Sequence, residues 1–528
     1  MCLILSAAIS CNWGMDKIKS IKETNKADTS ANGSLIPEFI PDSSLNFNFW
    51  AEVTGAGDTV IADSLFKGFN MDYSDDTVSI FCFRGSCRRN APSRGTVTGK
   101  PTGLELAWVF TTESDTTKTK YGVWGGGAGW TGQPLLLCWT NEQKQKLGIN
   151  DSQFLNNDNA FELIIGSLCG NIYFLNASTG RPTREHLSIG SPIKGTVSVD
   201  PRKNGLLYVG QGIQTGEKFG AYVFDMFSGK EIYHIPGNDT YSYRDWGAFD
   251  SNPLVDKESG TVFWPAENGV IYRFVADSLK QIKQLTRFHY RHDRIFRQGI
   301  ESSMAVIGNY GFLADNSGTL LCLNLLTMKP VWNIDNFDDT DASLLIDEES
   351  PGQYYLYTGH EIDKLAPVSA SYFRKIDAKT GHEIWRISRE CHGDDLNGQV
   401  NSGGMLSSPA LGKHKGNNLV YCLYSRTDSL NRSELVAVNK TTGQEVFSVQ
   451  LDNYSWSSPV DFYDTEGNIY LFFADVKGKF YIIDGLTGEL LVTKTTQFSF
   501  EASPVILNNK IYIASRGKSI LCFIIKSL

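Results

Sequence analysis

No apolar run in the sequence reaches the roughly 18 to 20 residues that a membrane-crossing helix needs, so no segment qualifies as one. Positive charge is also short: 49 Lys and Arg stand against 58 Asp and Glu, a formal net charge of −9. That balance argues against a general nucleic-acid binder, because phosphate contacts need clustered basic residues. The 10 cysteines form no CxxC pair and no zinc pattern. Cys169, Cys322, Cys422 and Cys522 sit inside apolar strand-like runs, where a thiol is usually a small buried hydrophobe. Cys82 and Cys87 are near enough in sequence to bridge a short loop, although nothing requires it. The glycine-rich run after Trp124 lacks the following Gly-Lys-Ser/Thr of a Walker loop. What remains is a globular chain of 528 residues, too long for one ordinary core, so several domains or one large repeat are the choices.

Aromatics are plentiful, with 11 Trp, 22 Tyr and 30 Phe, and there are 50 Gly. Together they favour short strands and tight turns over long helices. Aligning the strand-like runs that end in Asp or Asn exposes a repeat. The runs end at Asn176, Asp225, Asn324, Asp377, Asn439 and Asp484, with weaker copies ending at Val275 and Ile524, spaced 40 to 62 residues apart and mostly near fifty. Several units open on Ser-Pro or a relative of it (Ser191-Pro192, Asn252-Pro253, Ser408-Pro409, Ser458-Pro459, Ser503-Pro504) and close on Thr-Gly or Ser-Gly. Four short strands with hairpin turns per unit make one propeller blade. The expected fold is all-β: a single β-propeller of eight four-stranded blades, or seven if the copy at 271–275 is not a full sheet. The last unit stops short of its outermost strand. The segment 102–110, Thr-Gly-Leu-Glu-Leu-Ala-Trp-Val-Phe, is expected to supply it and close the ring.

A large ring follows the Asp or Asn by eight residues at Tyr233, Trp332, Trp385 and Phe447, most clearly in Asp377-Ala-Lys-Thr380-Gly381-His-Glu-Ile-Trp385. The acid can accept backbone N–H bonds, the glycine supplies a positive φ, and the ring packs between sheets. This pattern resembles the tryptophan-docking motif of the PQQ-type β-propeller family, which includes quinoprotein dehydrogenases and the BamB lipoproteins of outer-membrane assembly. The resemblance covers roughly residues 100–528, and it implies a fold more than a function. For the dehydrogenases it implies an adjacent Cys-Cys disulfide, a calcium-ligating Glu/Asn set and a catalytic Asp. No two cysteines are adjacent here.

The first eleven residues, apolar and ending in small residues before Cys11, resemble the end of a bacterial lipoprotein signal, with Cys11 as the lipidated residue. A plain secretory signal, a start placed downstream of the true one, and a buried strand are the alternatives. Residues 12–44 are polar and read as a flexible tether, with the propeller domain over 45–528 and its blades over about 130–528.

Ligand-contacting residues are sought on loops outside the repeat. Trp124 and Trp130 flank the glycine-rich run; the alternative is a connection packed by its two rings. Arg287, His289, Arg291, His292 and Arg297 crowd an otherwise acidic protein and suit an anionic glycan, phosphate or carboxylate partner. The plainer reading is a solvated connection between the third and fourth blades, with no metal at His289 or His292. Arg244, Trp246 and the Glu301–Ser303 segment are placed to reach the channel. The acidic stretches at Asp338–Asp341 and Cys391–Asp395 read as solvated turns rather than calcium sites. The expectation is a non-catalytic binding or scaffolding propeller of the bacterial cell envelope, in the periplasm or at the outer membrane. It would be monomeric, held to the membrane only through a lipid anchor, and partnered by envelope proteins or glycans, with no cofactor. The alternatives are a PQQ-dependent oxidoreductase with PQQ and calcium, and a surface carbohydrate-binding protein.

Overall fold

Two burial patterns in the strands show how the chain is layered. Ile469–Ala474 is apolar at every position and buried throughout, whereas Glu383–His392 alternates half-buried and exposed. A strand covered on both faces reads as a continuous apolar run, and one at a sheet's outer edge alternates. The computed structural model describes residues 38–40, 49–55, 66–69, 78–119, 122–292, 298–363, 367–393, 402–428 and 430–528. The described residues form eight antiparallel-based sheets of four or more strands and one separate hairpin, Ser114–Thr119 with Gly122–Gly126.

Apart from the strands that residues 49–111 add to the third and last sheets, each sheet runs inner to outer in sequence order, as in Val460–Tyr463, Ile469–Ala474, Lys479–Asp484 and Leu490–Thr495. The weak copy at 271–275 lies in Val270–Ala276, a strand of a complete sheet. The last sheet takes its outermost strand from Pro101–Thr111, which pairs antiparallel with Ser519–Ser527. Joining the two ends of the ring in one sheet removes an open edge from each.

The residue two before each innermost strand, here termed the lead-in, links neighbouring sheets around the axis. Gln133 N–H donates to Thr196 Oγ1 at 2.8 Å, Asn252 N–H to Ser303 Oγ at 2.9 Å, and Ser303 N–H to Ser343 Oγ at 2.8 Å. Further round, Ser408 N–H reaches Ser458 Oγ at 3.1 Å, Ser458 N–H reaches Ser503 Oγ at 3.3 Å, and Ser503 N–H returns to Gly132 O at 3.1 Å. In the second sheet Thr196 fills this place, so Ser191-Pro192 lies upstream of the true lead-in.

Large rings join the sheets farther out. The Trp332 indole N–H donates to Ala378 O at 3.1 Å, Trp385 to Lys440 O at 2.8 Å, and Trp108 of the closing strand to Ala177 O at 3.1 Å. In each case the acceptor follows the Asn or Asp of the next sheet. That acid holds the turn: Asp377 Oδ1 accepts from Thr380 N–H at 2.8 Å and from the Thr380 hydroxyl at 2.9 Å. Gly443 has φ +71°, and a Cβ built there would lie 2.6 Å from Trp385 Cγ. Gly443→Ala should therefore cost about 1–3 kcal/mol, since the side chain meets both a disfavoured φ and a packed ring. A urea melt reads this as a lower midpoint with an unchanged slope.

Residues 78–97 run across the axis and bond to every sheet. Ile80 bridges Leu136, Val199 N–H donates to Phe81 O, Val306 N–H to Cys87 O, and Ile346 N–H to Arg88 O. Phe83 N–H reaches Asn252 Oδ1, Lys413 Nζ reaches Asn90 O, Val97 N–H reaches Tyr463 O, and Ser93–Arg94 pairs with Ile506–Leu507. Arg84 and Arg89 are fully buried. Arg84 donates to Pro459 O and Pro409 O, both at 2.7 Å. Burial lowers its pKa to about 10 against the opposing pull of Asp461. Cys82 and Cys87 are buried in the same segment.

Candidate functional site

Of this plug, Ile80, Phe81, Cys87, Arg88 and Asn90 meet the innermost strands along or after their length, while Phe83, Arg84 and Arg89 reach the residues just before them. The open mouth therefore lies where the chain approaches those strands. There, two residues before each lead-in, stand Thr131, Lys194, Asp250, Glu301, Asp341, Leu406, Trp456 and Glu501. Six of these eight, all but Lys194 and Glu501, line a cavity of about 30 Å³ whose wall also includes Phe83 of the plug. One register position thus delivers a side chain from each sheet to the axis, and its chemistry varies around the ring.

The third to fifth sheets contribute acids. Carboxylate oxygens of Asp250, Glu267 and Glu301 lie within 4.8 Å of one another. Lys194, from the second sheet, pairs with Asp250 and lies 3.7 Å from Glu267. Burial alone would lower the Lys194 pKa, but Asp250, Glu267 and Glu301 overcome it and raise the pKa well above the ordinary lysine value. Burial, then the charge of Glu301, pushes Glu267 well above the usual carboxyl range. Burial, with Glu301, Glu361 and Asp339, does the same to Asp341.

A carboxyl with a raised folded pKa binds its proton more tightly in the native state than in the unfolded one. Its stabilising contribution is complete below the unfolded pKa and is lost as pH rises through the folded value. Glu267→Gln stays neutral and keeps an acceptor for the Trp246 indole, which donates to Glu267 Oε2 at 2.6 Å. Its melting temperature should therefore fall less than that of the wild type as pH rises above the ordinary carboxyl range. Parallel curves would show that Glu267 holds no proton above that range.

Trp124 and Trp130 meet each other with ring centroids 5.0 Å apart, and Trp130 meets Trp456 at 6.0 Å. Arg516 covers both Trp124 and Trp130 and lies 3.5 Å from Glu501. All three tryptophans are half-buried. Arg244 Nη1 donates to Glu267 O at 3.2 Å, so Arg244 and Trp246 both arrive at the acid cluster.

The basic run stands elsewhere, and as a strand. Ile282–His292 is the fourth strand of the third sheet and is flanked outside by Phe49–Gly55. Phe288 and Tyr290 are buried on one face, and Arg287, His289 and Arg291 occupy the other, a strict two-residue alternation that a solvated connection would not need. His289 is sandwiched between Tyr241 and Tyr243, with centroids at 3.8 and 4.3 Å, and its Nδ1 lies 2.5 Å from Tyr241 O. Arg287 pairs with Asp239 at 3.0 Å, and Arg291 lies over Trp50 and Tyr243. These partners and those of Trp124, Trp130 and Trp456 described above have no residue in common, and the two groups form separate clusters. The His292 side chain, Arg297, Cys11, residues 1–37 and Asp394–Asp395 lie outside what is described. Asp338–Asp341 is not a solvated turn: Asp338 is buried and accepts from Asp363 N–H, and Asp341 lines the cavity.

No family model matches the sequence, and no curated protein matches it. Solved structures do. Quinohemoprotein alcohol dehydrogenase ADHIIG from Pseudomonas putida HK5 aligns over 90% of this chain and 82% of its own, with 12% identity and a TM-score of 0.58. BamB from Moraxella catarrhalis covers 69% of this chain and 93% of its own at 16% identity, with a TM-score of 0.48. A europium-containing methanol dehydrogenase covers 86% and 99% at 13% identity, with a TM-score of 0.39. The chain is a β-propeller whose structural neighbours include BamB and quinoprotein dehydrogenases, and likeness at this level of identity concerns the fold.

Proposed function

We propose that the protein is a non-catalytic binding or scaffolding propeller of the cell envelope whose contact surface is the channel mouth with its three tryptophans. The observation that carries this reading is the content of the channel. Residues 78–97 occupy one end, and a cavity of about 30 Å³ remains at the other. Pockets that enclose a small organic ligand run to about 300–1,000 Å³.

PQQ, the cofactor of the alternative reading, is a fused three-ring quinone bearing three carboxylates. The mouth offers it little room and the carboxylates of Asp250, Glu301 and Asp341. The residues present therefore do not fit the group. Trp124, Trp130 and Trp456 instead make a half-exposed aromatic surface suited to a protein or glycan partner. The envelope placement rests on the sequence around Cys11 and the polar stretch after it. Fractionation to the cytoplasm, or an unmodified Cys11 in the mature chain, would count against it.

Affinity capture from crosslinked envelopes tests the binding reading. One partner should be recovered reproducibly with the wild type and lost with a Trp130→Ala, Trp456→Ala double variant. Reduction of a redox dye by alcohols or sugars after addition of PQQ and calcium would overturn the reading in favour of an enzyme.

A further inference from the structure

The channel mouth is chemically two-sided. Asp250, Glu301 and Asp341 approach the cavity from the third, fourth and fifth sheets, and Leu406 and Trp456 approach it from the sixth and seventh. Lys194 is the only lysine or arginine ion-paired to this acid cluster among the described residues. Its ammonium engages Asp250 Oδ2, yet the other oxygen of that carboxylate, Oδ1, is buried without a hydrogen-bond donor among the described residues, on a side chain only 8% exposed. Asp341 Oδ1 is likewise buried with no partner among the described residues. A buried, unpaired carboxylate oxygen is costly unless something arrives to bond it.

We infer that the mouth takes an organic cation, a primary ammonium or guanidinium group on an aliphatic stem. The head would bond Asp250, Glu301 and Asp341, and the stem would lie on Leu406 and Trp456. This rests on the binding reading above and deepens it by naming the chemistry that is bound. Three features select this ligand. The cavity, about 30 Å³, is the size of a water or an ammonium head rather than of a whole molecule, so the rest of the ligand lies outside. The acid side supplies oxygen acceptors for several N–H donors at once, and an arriving cation draws these carboxyls toward their charged form. The sixth and seventh sheets bring a leucine and an aromatic face to the cavity, which suit a methylene stem and its cation better than a bare metal ion. The same chemistry can come from a free alkylamine or from a lysine or arginine side chain of a partner polypeptide.

The test uses the full chain, titrated separately with n-butylammonium chloride, with a short peptide carrying one central lysine, and with calcium chloride alone, read by calorimetry and tryptophan fluorescence. Saturable binding of the amine or the peptide is expected, weakened about tenfold or more by Glu301→Gln and by Trp456→Ala. Binding of both shows that the head and stem suffice, and binding of the peptide alone assigns the site to a partner's side chain. Failure of both, or binding of calcium alone, overturns the inference. If Glu301→Gln does not fold, Trp456→Ala and the wild-type titrations decide. Loss of this inference leaves the binding reading standing if a Trp130- and Trp456-dependent partner is still captured, so the two can fail separately.

Discussion

Replacing Arg89 by alanine is expected to lower stability by about 3–5 kcal/mol, because the guanidinium is buried and leaves several carbonyls without donors when it goes. Its Nε donates to Met304 O at 2.8 Å, and its Nη1 to Phe83 O at 2.9 Å and Asn252 Oδ1 at 2.8 Å. Nη2 donates to Asn252 O at 3.0 Å. One side chain thus ties the plug to the third and fourth sheets and to itself. Arg89→Lys should recover only part of the loss, since an ammonium cannot reproduce a planar fork aimed at four acceptors. The midpoint of urea unfolding reads both variants. A loss below about 1 kcal/mol for Arg89→Ala would place the plug outside the cooperative unit.

Trp332→Ala is the second large effect. The ring is fully buried between the fourth and fifth sheets, with Phe312 at 5.8 Å, and its N–H bonds Ala378 O. A Cβ on Gly381 would come within 2.9 Å of it, which shows how closely the next turn is applied to the indole. Truncation leaves a cavity with little to fill it, at a cost of about 3–5 kcal/mol. Trp332→Phe keeps most of the packing and loses the hydrogen bond, so it should cost markedly less. Equal losses in the two variants would mean that the indole N–H, rather than the ring, holds the joint.

The joints were legible because they repeat. Asp377, Gly381 and Trp385 stand in a local pattern that recurs at the blade period, and the closing strand announced itself by carrying Trp108 in the same register. The plug has no second copy anywhere in the chain. Its buried Arg84 and Arg89 look from sequence like surface residues, since nothing local reveals that eight sheet ends will surround them. The acid ring was hidden for another reason: Asp250, Glu301 and Asp341 are 51 and 40 residues apart in sequence, one to a sheet. A signal was present, because each stands two residues before a lead-in, as do Lys194 and Trp456. Aligning the units on the lead-in rather than on the closing Asp or Asn brings the ring into one column. The basic run misled by composition. Its two-residue alternation, Arg287-Phe288-His289-Tyr290-Arg291, marks a strand whose apolar face is buried, and its charges are largely engaged by Asp239, Tyr241, Tyr243 and Trp50.

The central claim is that residues 78–97 fill the axis of the channel, and hydrogen exchange of the full chain tests it most directly. If residues 78–97 are part of the axis, the amides of Ile80, Arg89 and Val97 should exchange as slowly as those of the inner strand Ile469–Ala474, through global unfolding alone. Exchange of those amides within seconds, while Ile469–Ala474 stays protected, would show the plug opening on its own and the channel available to a larger ligand, contrary to this account.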